Sequence, residues 1–282
     1  MGNVALDSTL DARKISLERI GCRRAERLNT GPAAIRATNL SKRYGKVWAL
    51  DRCDLSIPQS SFTALVGANG AGKSTFLTML VGLLKPTGGD VEVFGLSPRR
   101  QRRQALAKIG FVAQDRPLYR SLSVANTIEM GRRLNDNWDG ELATNRLARL
   151  GIPLNRQVGH LSGGQQAQVS LSLALGKRPS LLILDEPMSS LDPLARQSFL
   201  DEVTEVAKDQ DMTVILSSHI ISELARVCDY VVILDSGKVK ASGPVETLIA
   251  MWAARSAEPR RAGMTELEHS VLGYLRDGAR AK

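Results

Sequence analysis

A chain of 282 residues has room for one large core or two ordinary ones, and 43% hydrophobic with 24% charged residues is a globular composition, neither disordered nor collagenous. Lys and Arg total 38 against 29 Asp and Glu, and the resulting charge of +9 favours acidic partners such as nucleotides, nucleic acid or anionic lipid without choosing among them. Cys22, Cys53 and Cys228 are odd in number and far apart, which argues against a disulfide framework or a Cys-type metal site, and apolar runs such as residues 181–184 and 230–234 fall far short of the ~20 residues that span a membrane.

Residues 1–33 carry scattered charges, Asp7, Asp11 and Glu18 among them, with only a weak helical spacing in Leu6, Leu10, Leu17 and Ile20 before Gly31-Pro32. They read as an N-terminal extension and not as a secretory signal, so the protein is expected in the cytoplasm. From Ala34 short β-like runs end at Gly and Pro, and residues 61–66 form an apolar strand with a glycine-rich turn directly after it. Residues 74–84 are apolar on nearly every side and stop before Pro86 and Gly88-Gly89, which predicts a buried helix. Between Asp115 and Gly159 the β pattern gives way to helical spacings such as Ala143, Leu147 and Leu150, closed by Gly151 and Pro153, so a helical insert is expected. After it, helices at 165–176, 194–209 and 220–227 alternate with apolar strands at 180–184, 213–217 and 230–234, the pattern of parallel strands with crossover helices. The tail from Met251 is polar and basic, with a short helix over 265–276.

Gly67-Ala68-Asn69-Gly70-Ala71-Gly72-Lys73-Ser74 matches G-x-x-x-x-G-K-[ST] and stands between the strand and the buried helix, the context that gives the pattern its meaning. Its glycines let the backbone curl so that N–H groups and the helix N-terminus face phosphate oxygens; Lys73 then neutralises the β- and γ-phosphates and the Ser74 hydroxyl ligates Mg²⁺. Leu181-Leu182-Ile183-Leu184 runs into Asp185-Glu186, two carboxylates at a strand end, where parallel sheets hold their ligands. Asp185 suits Mg²⁺, while Glu186 can orient or deprotonate the water that attacks a phosphoryl group. Leu161-Ser162-Gly163-Gly164-Gln165 precedes another helix and makes a second anion-binding helix start in one chain. Asp192-Pro193 opens a further helix, and the cluster Arg99, Arg100, Arg102, Arg103 and Lys108 reads as a solvated helical face.

Together these motifs resemble the nucleotide-binding subunit of ATP-binding cassette (ABC) transporters, over about residues 35–242. In that family the pentapeptide at 161–165 is the signature and the strand acids form the Walker B motif. The resemblance implies an α/β fold of the P-loop NTPase type, with an ABC-type nucleotide-binding domain over residues 34–250. A helical subdomain is expected at about 115–165, its signature helix running to 176, and a C-terminal extension at 251–282. ATP contacts are expected from Gly67, Ala68, Asn69, Gly70, Ala71, Gly72, Lys73, Ser74 and Thr75, and Mg²⁺ contacts from Ser74, Gln114 and Asp185.

By the same resemblance Gln114, after the strand at 109–113, touches both Mg²⁺ and a partner; His219 contacts the γ-phosphate; and Tyr44 stacks on adenine. Ser189-Ser190-Leu191-Asp192 resembles the loop that couples the two sites of a dimer. Two copies, identical or different, would pair head to tail, each ATP lying between one phosphate loop and Ser162, Gly163, Gly164 and Gln165 of the other. The implied function is ATP hydrolysis that powers a separate transmembrane permease, as in bacterial drug- and antibiotic-export cassettes. The chain would then be peripheral on the cytoplasmic face of the membrane and bind no specific nucleic acid. The alternative is a soluble ABC-type ATPase acting on ribosomes or DNA. Two segments depart from the family pattern: Gln166-Ala167-Gln168 replaces basic residues common after the signature, and Asp115-Arg116 stands where apolar residues or glutamate are frequent.

Overall fold

The computed structural model describes Leu28 and residues 31–256, 260 and 263–280; the rest of the expected N-terminal extension lies outside the described residues. β1 (Ala33–Tyr44) and β2 (Val47–Pro58) form an antiparallel hairpin. β3 (Phe62–Val66) enters a second sheet and runs through the glycine loop into α1 (Lys73–Leu80), after which β4 (Gly88–Val93) returns to pair with β1. α2 (Arg102–Ala107) leads to β5 (Ile109–Val112). The insert follows as α3 (Val124–Leu134), α4 (Gly140–Arg149), a 3₁₀ turn at Val158–His160 and α5 (Gly163–Leu175). The chain then alternates through β6 (Leu181–Asp185), α6 (Pro193–Asp209), β7 (Thr213–Ser218), α7 (Ile221–Leu224), β8 (Tyr230–Asp235) and β9 (Lys238–Pro244). It closes with α8 (Val245–Arg255) and α9 (Glu266–Arg280). One sheet has the order β2-β1-β4, the other β5-β6-β7-β3-β8-β9, parallel from β5 to β8.

The parallel strands are apolar throughout because both of their faces are covered. Leu182 and Leu184 of β6 point to one side, where Leu171, Phe199, Leu216 and Ile233 are buried with them. Leu181 and Ile183 point to the other, against Leu65, Phe76, Leu77, Leu80 and Ile215, and beyond α1 lie Ile35, Leu40, Leu50 and Ile57 of the antiparallel sheet. A buried Leu or Phe side chain contributes about 1.5–3 kcal/mol relative to exposure. With Phe76, Leu77, Met79 and Leu80 all buried, α1 is clamped between two sheets and the glycine loop before it inherits a fixed anchor. The insert has its own small core of Val124, Ile128, Ala143, Leu147, Val158, Leu161 and Val169. α5 belongs to both, since Leu171, Ala174 and Leu175 face the main core.

Residues 220–227, expected as one helix, are helical only over Ile221–Leu224, because the N–H groups of Val227 and Cys228 both turn back to the Leu224 carbonyl and redirect the chain into β8. β9 is an antiparallel edge strand outside the expected parallel alternation. It is reached through Ser236-Gly237, both at positive φ, the signature of a tight hairpin. The domain boundary expected at 250 falls inside α8, and the tail is not a polar appendage: Leu267, Val271 and Tyr274, spaced for one helix face, are buried in the main core beside Trp252. α9 approaches Trp252 so closely that a Cβ at Gly273 would lie 2.0 Å from the indole. Gly273→Ala should therefore lower stability by about 1–3 kcal/mol through overpacking. Thermal melting and proteolysis of the segment after residue 256 measure this, and an unchanged melt would show that α9 is not docked there.

Candidate functional site

Parallel pairing brings the chemistry to one sheet edge. Asp185 lies opposite Ser217, and Val66 opposite Ser218, so the glycine loop, Glu186 and His219 leave adjacent strands at the same level. The glycines at 67 and 72 are dictated by the protein's own backbone: a Cβ on Gly67 would lie 2.3 Å from the Leu234 carbonyl oxygen, and one on Gly72 2.4 Å from that of Ala49. At Gly70 there is open space, but its φ of +80° excludes other residues at little strain. Lys73 is buried, with Nζ donating to the carbonyls of Gly67 (2.8 Å) and Ala68 (3.3 Å). The ammonium thus holds the loop curled about itself. No side chain caps α1 and no acidic residue sits in its first turn, so its leading N–H groups remain for an anion, with Ser74 exposed and Thr75 half-buried beside them.

Glu186 is buried as well, 3.6 Å from Lys73 Nζ through Oε1 and 2.9 Å from His219 Nδ1 through Oε2. A carboxylate only accepts, so His219 carries the proton on Nδ1 when this bond is made. Ser217 was not foreseen from the sequence, yet its hydroxyl donates to Asp185 Oδ1 (2.7 Å) and accepts the Glu186 N–H (2.9 Å). One small side chain therefore orients both acids. Glu186 itself sits at a φ of +46°, the left-handed region. The available signal was a hydroxyl residue at a strand end two positions before His219.

The other expected residues lie elsewhere. Ser162 caps α5: its Oγ accepts the Gln165 N–H (3.2 Å), and Gln165 Oε1 accepts the Ser162 N–H (3.1 Å). The hydroxyl proton of Ser162 stays available for an anion. Among the described residues no hydrogen bond or ion pair joins Ser162–Gln165 to the glycine loop. Asp192 caps α6 through the Ala195 N–H (2.9 Å), and Gln114 is exposed on the loop after β5. Tyr44 is exposed on the hairpin, the Lys42 ammonium 5.1 Å from its ring centroid.

Both departures from the family pattern find partners in space. Arg116 Nη1 donates to the Gly163 carbonyl at 2.8 Å, and burial lowers the guanidinium pKa. Positive charge missing from residues 166–168 arrives on α4: Arg146, 2% exposed, donates to the Gln168 carbonyl (2.9 Å), Ser172 Oγ (2.7 Å) and Glu202 Oε2 (2.7 Å). Burial pulls its pKa down and Glu202 opposes that shift. On the far side of the insert a groove of about 450 Å³ opens between β5 and α3, lined by Phe111, Leu118, Met130 and Trp138 with Arg116 and Lys177.

A parallel sheet that gathers an uncapped glycine loop, a buried lysine, two oriented acids and a histidine at one edge defines a P-loop nucleoside triphosphatase. The family model described as ABC transporter matches residues 50–189. The chain is 31% identical to a bacitracin transport ATP-binding protein of Bacillus licheniformis over 76% of its own length and 71% of that protein's. It is 35% identical to an aliphatic sulfonates import ATP-binding protein of Escherichia coli K12 over 87% of its length and 92% of the relative's. A dimeric post-hydrolysis ATP-binding cassette bound to ADP and Pi superposes with a TM-score of 0.68 at 24% identity, covering 74% of this chain and 98% of the other. The chain belongs to the ABC transporter family and is an ATP-binding domain that hydrolyses ATP.

Ser217→Ala should reduce kcat on the order of tenfold, and cost about 1–3 kcal/mol in stability by leaving the Glu186 N–H unpaired. Steady-state ATPase assays and thermal melts test this, and full activity would mean that the acids are oriented without Ser217.

Proposed function

We propose that this chain is the ATP-hydrolysing subunit of a transporter, acting as a head-to-tail pair in which each ATP is held by the glycine loop of one copy and the signature of the other. The observation that carries the reading is the separation within one chain of two helix starts suited to phosphate, the uncapped α1 and the Ser162 cap of α5. The dimeric cassette among its structural neighbours accords with it.

In this reading the triphosphate lies along residues 67–75 and draws Lys73 off the carbonyls it now holds. Tyr44 offers an aromatic face to the adenine. Ser74 at the loop, Asp185 at the end of β6 and Gln114 after β5 would offer hard oxygen donors suited to Mg²⁺, which would supply neutralising charge to the β- and γ-phosphates. Glu186 takes a proton from water as its oxygen attacks the γ-phosphorus, and the bond from that phosphorus to the β–γ bridging oxygen breaks. His219 holds Glu186 in place and faces the γ-phosphate. Ser162 to Gln165 of the other copy close the far side, and Asp192 fixes the loop beside them. Release of phosphate then opens the pair.

No described helix is long and apolar enough to cross a membrane; on the relatives named as transport ATP-binding proteins, we assign translocation to a permease that holds the chain at the cytoplasmic face. Its docking element would enter the groove beside Phe111, Met130 and Trp138, next to Gln114. Export is the proposed direction, on the resemblance of residues 41–45 and 217–224 to drug-export cassettes; the relatives include both a bacitracin transport and a sulfonates import protein.

Glu186→Gln should keep ATP binding, slow hydrolysis on the order of a hundredfold and leave a persistent dimer in size-exclusion chromatography with ATP. Lys73→Ala and Ser162→Arg should each be inactive alone. Mixed, they place both lesions in one site and leave the other whole, so ATP-driven dimerisation returns. No recovery, with mixed dimers demonstrated by differential tagging, would falsify the pairing of two copies of this chain.

A further inference from the structure

We infer that Arg196 is a positioning residue and that its ion pair with Glu223 links the occupancy of one ATP site to the histidine of the other. The inference rests on the shared-site reading above. It begins at α5. A Cβ on Gly163 would lie 3.3 Å from Ser190, and one on Gly164 3.1 Å from Leu191, so residues 189–192 rest on the turn that carries Ser162. The carbonyl of Leu191 accepts a 2.9 Å bond from Arg196 Nε. The same guanidinium donates through Nη1 to Glu223 Oε1 at 3.1 Å. Glu223 lies on α7, just after His219, and His219 holds Glu186 at 2.9 Å. Direct contacts therefore run from the signature to the catalytic acid of the same chain without passing through the glycine loop.

The ion pair is the step able to switch. A helix of only four residues with no side-chain cap, such as α7, is not stable by itself and takes its position from its neighbours. Leu224 anchors it in the core, but the seam towards α6 is loosely filled. Two cavities of about 60 Å³ flank the pair, one bounded by Glu186, Ser189 and His219, the other by Gln197, Leu200 and Arg226. Among the described residues the polar bridges across this seam are Arg196 to Glu223 and Arg226 to Gln197 (2.8 Å). The second carboxylate oxygen of Glu223 is buried without a partner, so one bond restrains the group. Such a link is made or lost as a unit, whereas a packed core deforms little. When the signature takes up the phosphate bound by the other copy, movement of residues 189–192 displaces the Leu191 carbonyl and Arg196 with it. Glu223 then carries α7 and His219. Coupling in the reverse direction is of equal strength.

Glu223→Gln removes one charge at nearly constant shape, and Arg196→Gln removes the guanidinium together with its bonds to Leu191 and Glu223. The test measures ATPase rate against ATP concentration for the full chain, and ATP-driven dimerisation with each substitution added to Glu186→Gln. The parent should show a sigmoidal dependence with a Hill coefficient roughly between 1 and 2. Each single variant should lower kcat about three- to thirtyfold and bring the dependence to a simple hyperbola. Dimerisation should stay within about twofold, and the double variant should be no worse than the worse single one, because both break one link. Should one variant melt early, the other, on a different element, carries the same test. A hyperbolic parent, single variants with parental kcat and cooperativity, or losses that multiply in the double variant would each overturn the link while leaving the dimer standing. A Glu186→Gln parent that forms no dimer with ATP would instead overturn the shared-site reading, and the link with it.

Discussion

The hydroxyl of Ser217 serves the Asp185 side chain and the Glu186 N–H together, and it can do so only because β6 and β7 end in register. Side chains alternate across a sheet, so a slip of one residue would put Leu216 or Ser218 opposite Asp185, pointing to the wrong face. The pairing of β3 with β7 adds a second condition, since Val66 opposite Ser218 sets the level at which the glycine loop leaves the sheet. Burial on both faces holds these registers: a slip would turn Leu182, Leu184, Val214 and Leu216 out of one core and into the other. Packing far from the chemistry thus determines which hydroxyl meets which acid.

With the site aligned in this way, its charges are mutually dependent. Lys73 and Glu186 are both buried, and isolated charges in such a place would cost several kcal/mol each. The two carbonyls beneath Lys73 and the imidazole beside Glu186 make the pair tenable. In the proposed reading a bound polyphosphate would replace one partner of Lys73 by another of higher charge and free Glu186 to face water. The left-handed backbone of Glu186 stores strain of about 1–3 kcal/mol, and it points the side chain at the loop where a relaxed strand end would direct it elsewhere.

What could be read in the sequence follows from how local each device is. The glycine loop, the strand acids and the Ser162 cap are contiguous, and each carries its geometry in a few neighbouring residues, so their positions were legible. Ser217, Arg116, Arg146 and Arg196 were not, because each acts on a partner distant in sequence: Arg116 on Gly163, Arg146 on Gln168 and Glu202, Arg196 on Glu223. Gln168 stands where the family pattern is basic, and Arg146 on α4 brings a guanidinium against it. The polar look of the tail concealed the stripe Leu267, Val271 and Tyr274, diluted by charged neighbours on the other face of α9. Alternating helix and strand pointed to parallel pairing, but a short polar edge strand such as β9 has too little apolar pattern to register.

The insert is not held equally on its two sides. Arg146, itself buried, fastens α4 to α5 and to α6 through four bonds, and breaking one partner there would leave a buried charge unmatched. On the opposite side the groove beside Met130 and Trp138 is open, and its walls belong partly to β5 and partly to the insert. On that side Lys177, just past the end of α5, donates to the carbonyls of Leu106 and Ile109 at 2.9 and 2.7 Å. Arg116 spans the same side, bound to Gly163 and lining the groove next to Gln114. In the proposed reading, a permease element that fills the groove would press on Arg116 and, through its bond to the Gly163 carbonyl, on the helix start that carries Ser162.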